Sequence, residues 1–347
     1  MLGGLLALCS AATMAYNNVC ARRGVLTGTV GQAMAISMPI GVLIFLITTL
    51  AIGAMNLVFE FSTTSILWLS VAGIIHFVWG RYCNYRAVKA IGTVLAAPIQ
   101  QLNLVVALGL AIIFLGEAVT PLKVFGFILV MGGPALAIRK PKAKNLPISS
   151  AADVEQAAIK VATGGTPIQP APVFEPKYAE GITFSLLSAT GYGVSPLFIR
   201  MTLDSDNVSM GVAGGLVSYT AAAFVSSLVY LRPGQFNHAL SVGREAAKWF
   251  TLSGIFVCLA QMLRYMALSV APVTVVAPIQ RLSLVMRLVL SWFMNREHEV
   301  FSVWVFAGIF LSLIGAIALA INTQVVIDNV PLPAVLIEII KWQWWWQ

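Results

Sequence analysis

Polar side chains that could hold a small charged molecule occur within two of the most apolar stretches of the chain. In a helix of 3.6 residues per turn, Gln280 and Arg287 lie on one face, with Ser283 close by. A charge at the middle of a membrane span costs roughly 2.5–3.5 kcal/mol on insertion scales, so it should face a cavity or a partner. Arg287 is therefore expected to bind an anionic group.

The same polar face recurs 180 residues earlier, where Gln100 and Asn103 occupy the matching helical positions. Polar groups at equal depth in two copies of a repeat would meet at the axis that relates the copies. We predict a substrate-binding site there, with Arg287 as its fixed positive charge. Arg281, on another face, is either a second substrate contact or a tie between helices. The alternative for the whole cluster is hydrogen bonding that only joins helices.

Further candidates lie in the neighbouring apolar stretches. His76 is the one histidine inside such a stretch, and it is either a proton relay near neutral pH or a packing residue. Tyr16, Asn17 and Tyr192 are expected to line the same cavity because of their positions in the repeat.

Other residues are expected to shape the helices rather than to bind. Pro98 and Pro278 each remove a backbone hydrogen bond one turn before the polar face, which predicts a gating hinge or a simple kink. Glu117 and Glu297 are expected to cap helix ends. The glycine pairs at seven-residue spacing are predicted to be close helix-packing faces; they are Gly126/Gly133 and Gly308/Gly315.

None of the thirteen Asp and Glu residues falls in the middle of an apolar stretch. An exporter that exchanges lipophilic cations for protons needs such an acid, so that class is disfavoured. No Asp pair or serine–histidine set lies at depth, no cysteine spacing fits a metal, and no phosphate-binding loop is present. We therefore expect no enzyme, no cofactor and no metal.

These residues must be positioned by membrane helices, because the chain of 347 residues is 59% apolar and only 10% charged, with a mean hydropathy of +0.88. Soluble domains carry about 25% charged residues. Stretches long enough to cross roughly 30 Å of hydrocarbon lie near residues 2–21, 31–53, 64–85, 93–115, 121–138, 181–200, 208–231, 249–269, 273–294 and 300–321. In lipid each backbone amide must be satisfied within its own segment, so we predict an all-α fold of ten transmembrane helices.

The chain divides into two halves, a linker and a tail. Spans 1–5 (residues 1–138) and spans 6–10 (180–322) are joined by a basic, Pro- and Ala-rich linker (139–179) that is expected to be flexible. The tail (323–347) carries four tryptophans beside Lys341 and suits a helix at the lipid headgroups, with docking of a protein partner or a second copy as the alternative. The net charge of +8 lies mostly in loops, where membrane orientation explains it without nucleic acid.

The strongest signal is an internal repeat. The segment A-A-P-I-Q-Q-L-N-L-V from Ala96 matches V-A-P-I-Q-R-L-S-L-V from Val276 at a shift of 180 residues, which also places Glu117 on Glu297. Each half has five spans, an odd number, so the second copy must enter the membrane from the opposite side. Such inverted repeats let one central site open to either side in turn, as alternating access requires.

The stretch from Tyr85 to Gly133, with its A-A-P entry and the L-G-E at Leu115–Glu117, resembles an EamA domain. So does its partner from Tyr265 to Gly315. Together they resemble a ten-span member of the drug/metabolite transporter superfamily. The resemblance implies a central cavity lined by spans 1, 3, 4, 6, 8 and 9, and the movement of small metabolites, often amino acids or related compounds.

We therefore predict a secondary carrier in the cell membrane, of the bacterial cytoplasmic kind, that moves an anionic or zwitterionic metabolite such as an amino acid or a carboxylate. The alternatives are a translocator of an amphipathic or lipid-linked anion, and a non-transporting membrane subunit or scaffold.

Two arguments about the orientation of the chain in the membrane disagree. Lys and Arg concentrate in the connections after odd-numbered spans, which predicts that these connections are cytoplasmic, whereas the resemblance implies cytoplasmic termini.

Overall fold

A computed structural model describes residues 2–115, 120–139, 174–200, 202, 208–270, 276, 279–320 and 333. All regular structure in these ranges is helical, which confirms the all-α prediction for this part of the chain. The helices of the first half are α1 Leu2–Thr27, α2 Val30–Ala51, α3 Met55–Glu60, α4 Thr63–Gly73, a π-helix Ile74–Gly80, α5 Arg81–Gln100, α6 Leu102–Leu115 and α7 Pro121–Ala137.

The second half repeats this order. Its helices are α8 Tyr178–Arg200, α9 Val208–Tyr230, α10 Gln235–Leu240, α11 Arg244–Val270, α12 Ser283–Met294, a 3-10 turn Arg296–His298 and α13 Val303–Ala320. Five helical segments are long and apolar enough to cross a membrane; they are Val30–Ala51, Thr63–Gln100, Tyr178–Ile199, Ser209–Tyr230 and Arg244–Arg264. Shorter apolar helices are Leu102–Phe114, Pro121–Ala137 and Val303–Leu319.

The boundaries between helices follow local chemistry. Thr29 begins α2 through a capping box with Gln32, and Thr120 caps α7 just before a proline at the first helical turn. Gly92 divides α5, because its φ of 81° lies in the left-handed region that favours glycine. The third predicted span therefore ends at residue 91 and the fourth begins at Thr93.

Several chain connections meet at one end of the bundle, which we call the basic end. They follow the first, third, fifth, seventh and ninth predicted spans and are represented by Arg22, Lys89, Phe174, His238 and His298. Arg22 donates hydrogen bonds to the carbonyl oxygens of Lys89 (3.0 Å) and His298, and its guanidinium lies 4.3 Å from the Phe174 ring centroid. The Thr29 hydroxyl lies 3.1 Å from Nε2 of His238. The helical segments that these connections join therefore alternate in direction.

The two halves are inverted relative to each other. Helix α1 ends at the basic end, whereas α8, its counterpart in the repeat, begins there: the amide of Lys177, one residue before α8, donates to the carbonyl of Ala90 at 2.9 Å. The packing between helices follows the same relation between the halves. The packing of α1 on α11 and α12 is matched by that of α8 on α5 and α6, while α2 packs on its counterpart α9 and α7 on its counterpart α13.

The predicted glycine faces join α7 to α13. A Cβ added to Gly126 would lie 2.9 Å from the carbonyl oxygen of Gly315, and one added to Gly315 would lie 2.7 Å from that of Gly126. Gly133 and Gly308 approach each other in the same way, at 2.7 and 2.5 Å. Backbones this close leave no room for a side chain, so the glycines allow the two helices to touch.

Candidate functional site

The buried guanidinium of Arg287 lies at the contact between the two repeats. Its Nη1 donates to Oε1 of Gln100 at 3.1 Å, and Nε2 of Gln100 donates to Oδ1 of Asn84 at 2.5 Å. Arg287 is 7% exposed and Gln100 is 8% exposed. Arg287 comes from α12 of the second half, whereas both amides come from α5 of the first half. Sequence reasoning paired Arg287 with Gln100 but missed Asn84.

Further polar side chains lie beside these amides at the contact between the two halves. The side chain of Tyr192 on α8 lies next to Asn84, and its ring centroid lies 4.6 Å from that of His76. Nδ1 of His76 in turn lies 2.7 Å from the hydroxyl of Ser195. We call the connected side chains the polar chain; its members are Arg287, Gln100, Asn84, Tyr192, His76 and Ser195. Four of these six residues were predicted from the sequence.

His76 lies within the π-helix between α4 and α5. A π-helix widens the turn, and such segments occur frequently at functional sites. Helix α8 packs closely against the π-helix, because a Cβ added to Gly80 would lie 2.8 Å from the Tyr192 ring.

The axis that relates the two halves passes close to Arg281 and Gln101. Nη1 of Arg281 donates to Oε1 of Gln101 at 3.3 Å, and the two residues are 180 positions apart, which is the repeat shift itself. A residue that contacts its own repeat counterpart must lie next to the axis. The residues that directly follow the two P-I-Q segments therefore contact each other, and this hydrogen bond of Arg281 joins two helices.

Two other predicted residues bind elsewhere in the bundle. Nε2 of Gln280 donates to the hydroxyl of Ser10 in α1 at 3.3 Å. Oδ1 of Asn17 accepts from the hydroxyl of Ser253 at 2.7 Å, and that hydroxyl lies 3.3 Å from the hydroxyl of Tyr85. Both pairs connect α1 to spans of the second half.

The remaining predicted binding residues lie apart from the polar chain. Tyr16 is 40% exposed and stacks on Phe256, with ring centroids 5.3 Å apart. Asn17, the next residue of the helix, is 4% exposed. Asn103 is half-buried at the crossing of α6 and α8, and Ser283 is half-buried at the first position of α12.

Both copies of the P-I-Q segment end in a tightened turn. The amide of Gln101 donates to the carbonyl of Pro98 at 3.2 Å, and the amide of Leu282 donates to that of Ile279 at 3.1 Å. Helix α5 ends and α6 begins at this point, three residues after the proline. Pro278 and Glu117 lie outside the described residues, as does the tail apart from Pro333.

Arg81 is a second buried arginine, which the predicted site did not include. Arg81 is only 3% exposed, because the helical segment from Thr63 carries it into the bundle interior. Its Nη2 donates to the hydroxyl of Tyr219 at 2.7 Å, and its guanidinium lies 5.1 Å from the centroid of the Phe77 ring. Arg264, in contrast, is exposed.

A buried carboxylate lies at the basic end, and sequence reasoning missed it. Glu299 accepts hydrogen bonds from the backbone amides of Thr93 (2.8 Å) and Val94 (3.0 Å) and pairs with Arg22 at 3.7 Å. Burial raises the pKa of the Glu299 carboxyl to about 7, although Arg22 and the two amides act in the opposite direction. Glu297, the predicted cap, is exposed in the turn before it.

The buried arginines of the interior differ from Arg22 at the basic end in their lack of an ion pair with a described carboxylate. The ion pairs of the described residues join Arg22 to Glu299 and Arg86 to Glu180, and neither involves Arg287 or Arg81. The hydrogen bonds of these two arginines go to an amide, a phenol and the sulfur of Met38. No group of three or more His, Cys, Asp or Glu side chains that could hold a metal occurs among the described residues.

An inverted pair of helical repeats around a buried polar chain defines a duplicated, polytopic membrane protein. The EamA-like transporter family model matches residues 1–139 and 179–321, most of the sequence, and the chain belongs to this family. The family resemblance found in the sequence is thereby confirmed. The protein is a membrane transporter of the drug/metabolite transporter superfamily rather than an enzyme.

Other comparisons add little to this assignment. No curated protein matches the chain. Among 18 matching chains of solved structures, one titled only "Crystal structure of protein" is 17% identical, with a TM-score of 0.46. That match covers 91% of this chain and 95% of the other.

Proposed function

We propose that the protein is a secondary carrier that moves a small anionic or zwitterionic metabolite, such as an amino acid or a carboxylate, by alternating access. In this proposal the chain crosses the cell membrane, taken as a bacterial cytoplasmic membrane, ten times. The acidic group of the substrate binds Arg287, and the amides of Gln100 and Asn84 contribute to its polar surroundings.

The observation that carries the proposal is a buried cation with neutral partners. Arg287 is 7% exposed, and its one described hydrogen bond goes to the Gln100 amide. Its Nε is buried without a hydrogen-bond partner. An unpaired buried charge is costly, and a bound carboxylate would accept two parallel hydrogen bonds from the guanidinium. Among the described residues, no carboxylate lies within ion-pair distance of Arg287, and a bound anion would supply one.

The duplicated architecture supports alternating access. Arg281 and Gln101 lie at the axis between the halves, close in sequence to Arg287 and Gln100, so the proposed site is near the centre of the symmetry. Rocking one half against the other about such an axis would produce two equivalent states that open to opposite sides. A binding site at the axis stays in place in both states.

Uptake into liposomes that contain the purified protein tests the proposal. A thermal-shift screen across amino acids, monocarboxylates and dicarboxylates first selects solutes, and radiolabelled uptake is then measured for those that stabilise the protein. Arg287→Gln removes the charge and keeps the volume polar, so it should lower uptake at least ten-fold, because hydrogen bonds to charged groups contribute about 1.5–3 kcal/mol.

Arg296→Gln is the matched control, because Arg296 is an exposed arginine in the turn after the same helix. It should transport as the wild type does. If no anionic or zwitterionic solute is taken up, or if Arg287→Gln and Arg296→Gln transport equally well, the proposed site is wrong.

A further inference from the structure

The carboxylate of Glu299 joins the second repeat to the first at the basic end. It follows α12 in the chain, and both of its oxygens are used: Oε1 accepts from the Thr93 amide at 2.8 Å and Oε2 from the Val94 amide at 3.0 Å. These amides belong to the first turn after the break at Gly92, where backbone N–H groups have no partner within the helix. Partial positive charge at a helix start favours a carboxylate there.

The break is shaped to receive this carboxylate. A Cβ at Gly92 would collide with the carboxyl group of Glu299, and the φ of 81° at Gly92 already disfavours any other residue. The Glu299 side chain has 0% relative exposure and leaves no space between the two elements. The site therefore depends on a glycine in one repeat and an acid in the other.

Arg22 completes the contact from the end of α1. Its Nε lies 3.7 Å from Oε1 of Glu299, and its Nη1 donates to the carbonyls of Val88 (2.7 Å) and Lys89 (3.0 Å) at the end of the third span. Its Nη2 donates to the carbonyl of His298, beside Glu299. Arg22 is fully buried, so one side chain holds three chain segments together.

A second bond ties the same turn to α1. The Asn295 side chain is 1% exposed and donates from Nδ2 to the carbonyl of Val19 at 3.2 Å. The turn from Asn295 to Glu299 thus contacts α1 at one point and the third and fourth spans at another. The contacts of Glu299, His298 and Asn295 connect the second repeat to the first, and all lie at one end of the bundle.

We propose that Glu299 and Arg22 form a gate that keeps the basic end closed, and that opening of this end requires the carboxylate to leave the amides of Thr93 and Val94. The inference rests on the proposed carrier function, because only a carrier needs the ends to open in turn. In a rocking motion of inverted repeats, contacts between the repeats at one end must break when that end opens. Glu299 and Arg22 are positioning residues and lie outside the proposed substrate site.

Pulsed EPR distances at the basic end test the gate directly. Spin labels are placed at Thr27 and Arg296, two exposed positions that belong to different repeats, after the native cysteines have been replaced by serine. The native cysteines are Cys9, Cys20, Cys83 and Cys258. Glu299→Ala removes both amide contacts and the ion pair, so the ratio of long to short distances should rise about ten-fold or more.

Two variants in the same turn make the result specific. Glu299→Gln keeps an acceptor for one amide and loses the ion pair, so an intermediate rise is expected. Glu297→Gln changes an exposed carboxylate two residues away and should leave the wild-type distances. Unchanged distances in Glu299→Ala overturn the proposal; if that variant does not fold, unchanged distances in Glu299→Gln overturn it.

The distance measurement is independent of the solute. Suppose that liposomes show no flux but the Glu299 variants change the distances. The proposed carrier function would then be wrong, whereas the contact that closes this end would stand. Normal flux with unchanged distances would leave the carrier function intact and remove the gate.

Discussion

A single methyl group at Gly308 should disturb the contact between α7 and α13. A Cβ built at this position lies 2.5 Å from the carbonyl oxygen of Gly133 and 2.9 Å from Cβ of Ala137. Two of the three nearest atoms belong to the backbone, which cannot rotate away as a flexible side chain could. Gly308→Ala must therefore push the two helices apart.

The expected loss of stability is the difference between two opposing effects. Inserting a methyl group into well-packed structure costs typically about 1–3 kcal/mol. Replacing glycine by alanine inside a helix gains about 0.5–1 kcal/mol, because alanine has less backbone freedom to lose on folding. The net effect of Gly308→Ala is therefore a destabilisation of roughly 1–2 kcal/mol.

Thermal unfolding of the purified protein in detergent measures this difference. Gly109→Ala is the matched control, since Gly109 lies inside α6 and an added Cβ meets nothing within 4 Å. It should raise the melting temperature slightly, whereas Gly308→Ala should lower it by a few degrees. Equal or opposite shifts in the two variants would show that the close approach of α7 and α13 is absent from the folded protein.

Two more predictions concern buried polar groups. Tyr219→Phe removes the hydroxyl that accepts from Arg81 at 2.7 Å, so thermal unfolding should show a loss of about 1.5–3 kcal/mol, and wild-type stability would refute this partnership. Burial raises the pKa of Glu299 from 4.5 to about 7, so the folded state holds this proton more tightly than the unfolded chain. Its contribution to stability is complete below the unfolded pKa and is lost as the pH rises through about 7. Glu299→Gln should flatten the dependence of melting temperature on pH between about 5 and 8, and an unchanged dependence would contradict the assignment.

The repeat was the part of the fold that the sequence predicts best. A shift of 180 residues, read from the P-I-Q segments, places Gln101 on Arg281, and these two side chains are in contact. Helical periodicity was enough to put Arg287 near Gln100. Both predictions use only the spacing along helices and the symmetry of the repeat. Neither needs a contact between residues that the repeat does not relate.

The environment of Arg81 could not be predicted in this way. Its partner Tyr219 is 138 residues away and belongs to a different position of the repeat. The sequence places Arg81 near the end of a span, but the helix continues through a π-helical stretch and ends only at Gly92. Hydropathy does not show a π-helix, so it does not indicate the depth of Arg81 in the bundle.

Glu299 was missed because of a two-residue difference in register. The shift of 180 places Glu117 on Glu297, whereas Gly126 and Gly308 require a shift of 182. With the larger shift, Glu117 falls on Glu299. The register therefore depends on where the two extra residues lie, and spacing alone cannot locate them.

The gate and the proposed substrate site act on the same helical segment, so they should be energetically coupled. Glu299 binds the start of the segment Thr93–Gln100 and Arg287 binds its end, seven residues or about 10 Å away along a helix. Both residues belong to α12 and the turn that follows it, and a rigid segment held at both ends cannot move at one end alone. A double-mutant cycle of Glu299→Gln and Gln100→Ala should therefore give an interaction of at least about 0.5 kcal/mol in unfolding free energy, although separated sites are usually additive. The cycle of Glu299→Gln with Tyr219→Phe, whose hydroxyl binds elsewhere, should be additive. Additivity in both cycles would mean that the gate and the site move independently, and binding at Arg287 could not then bias which end is open.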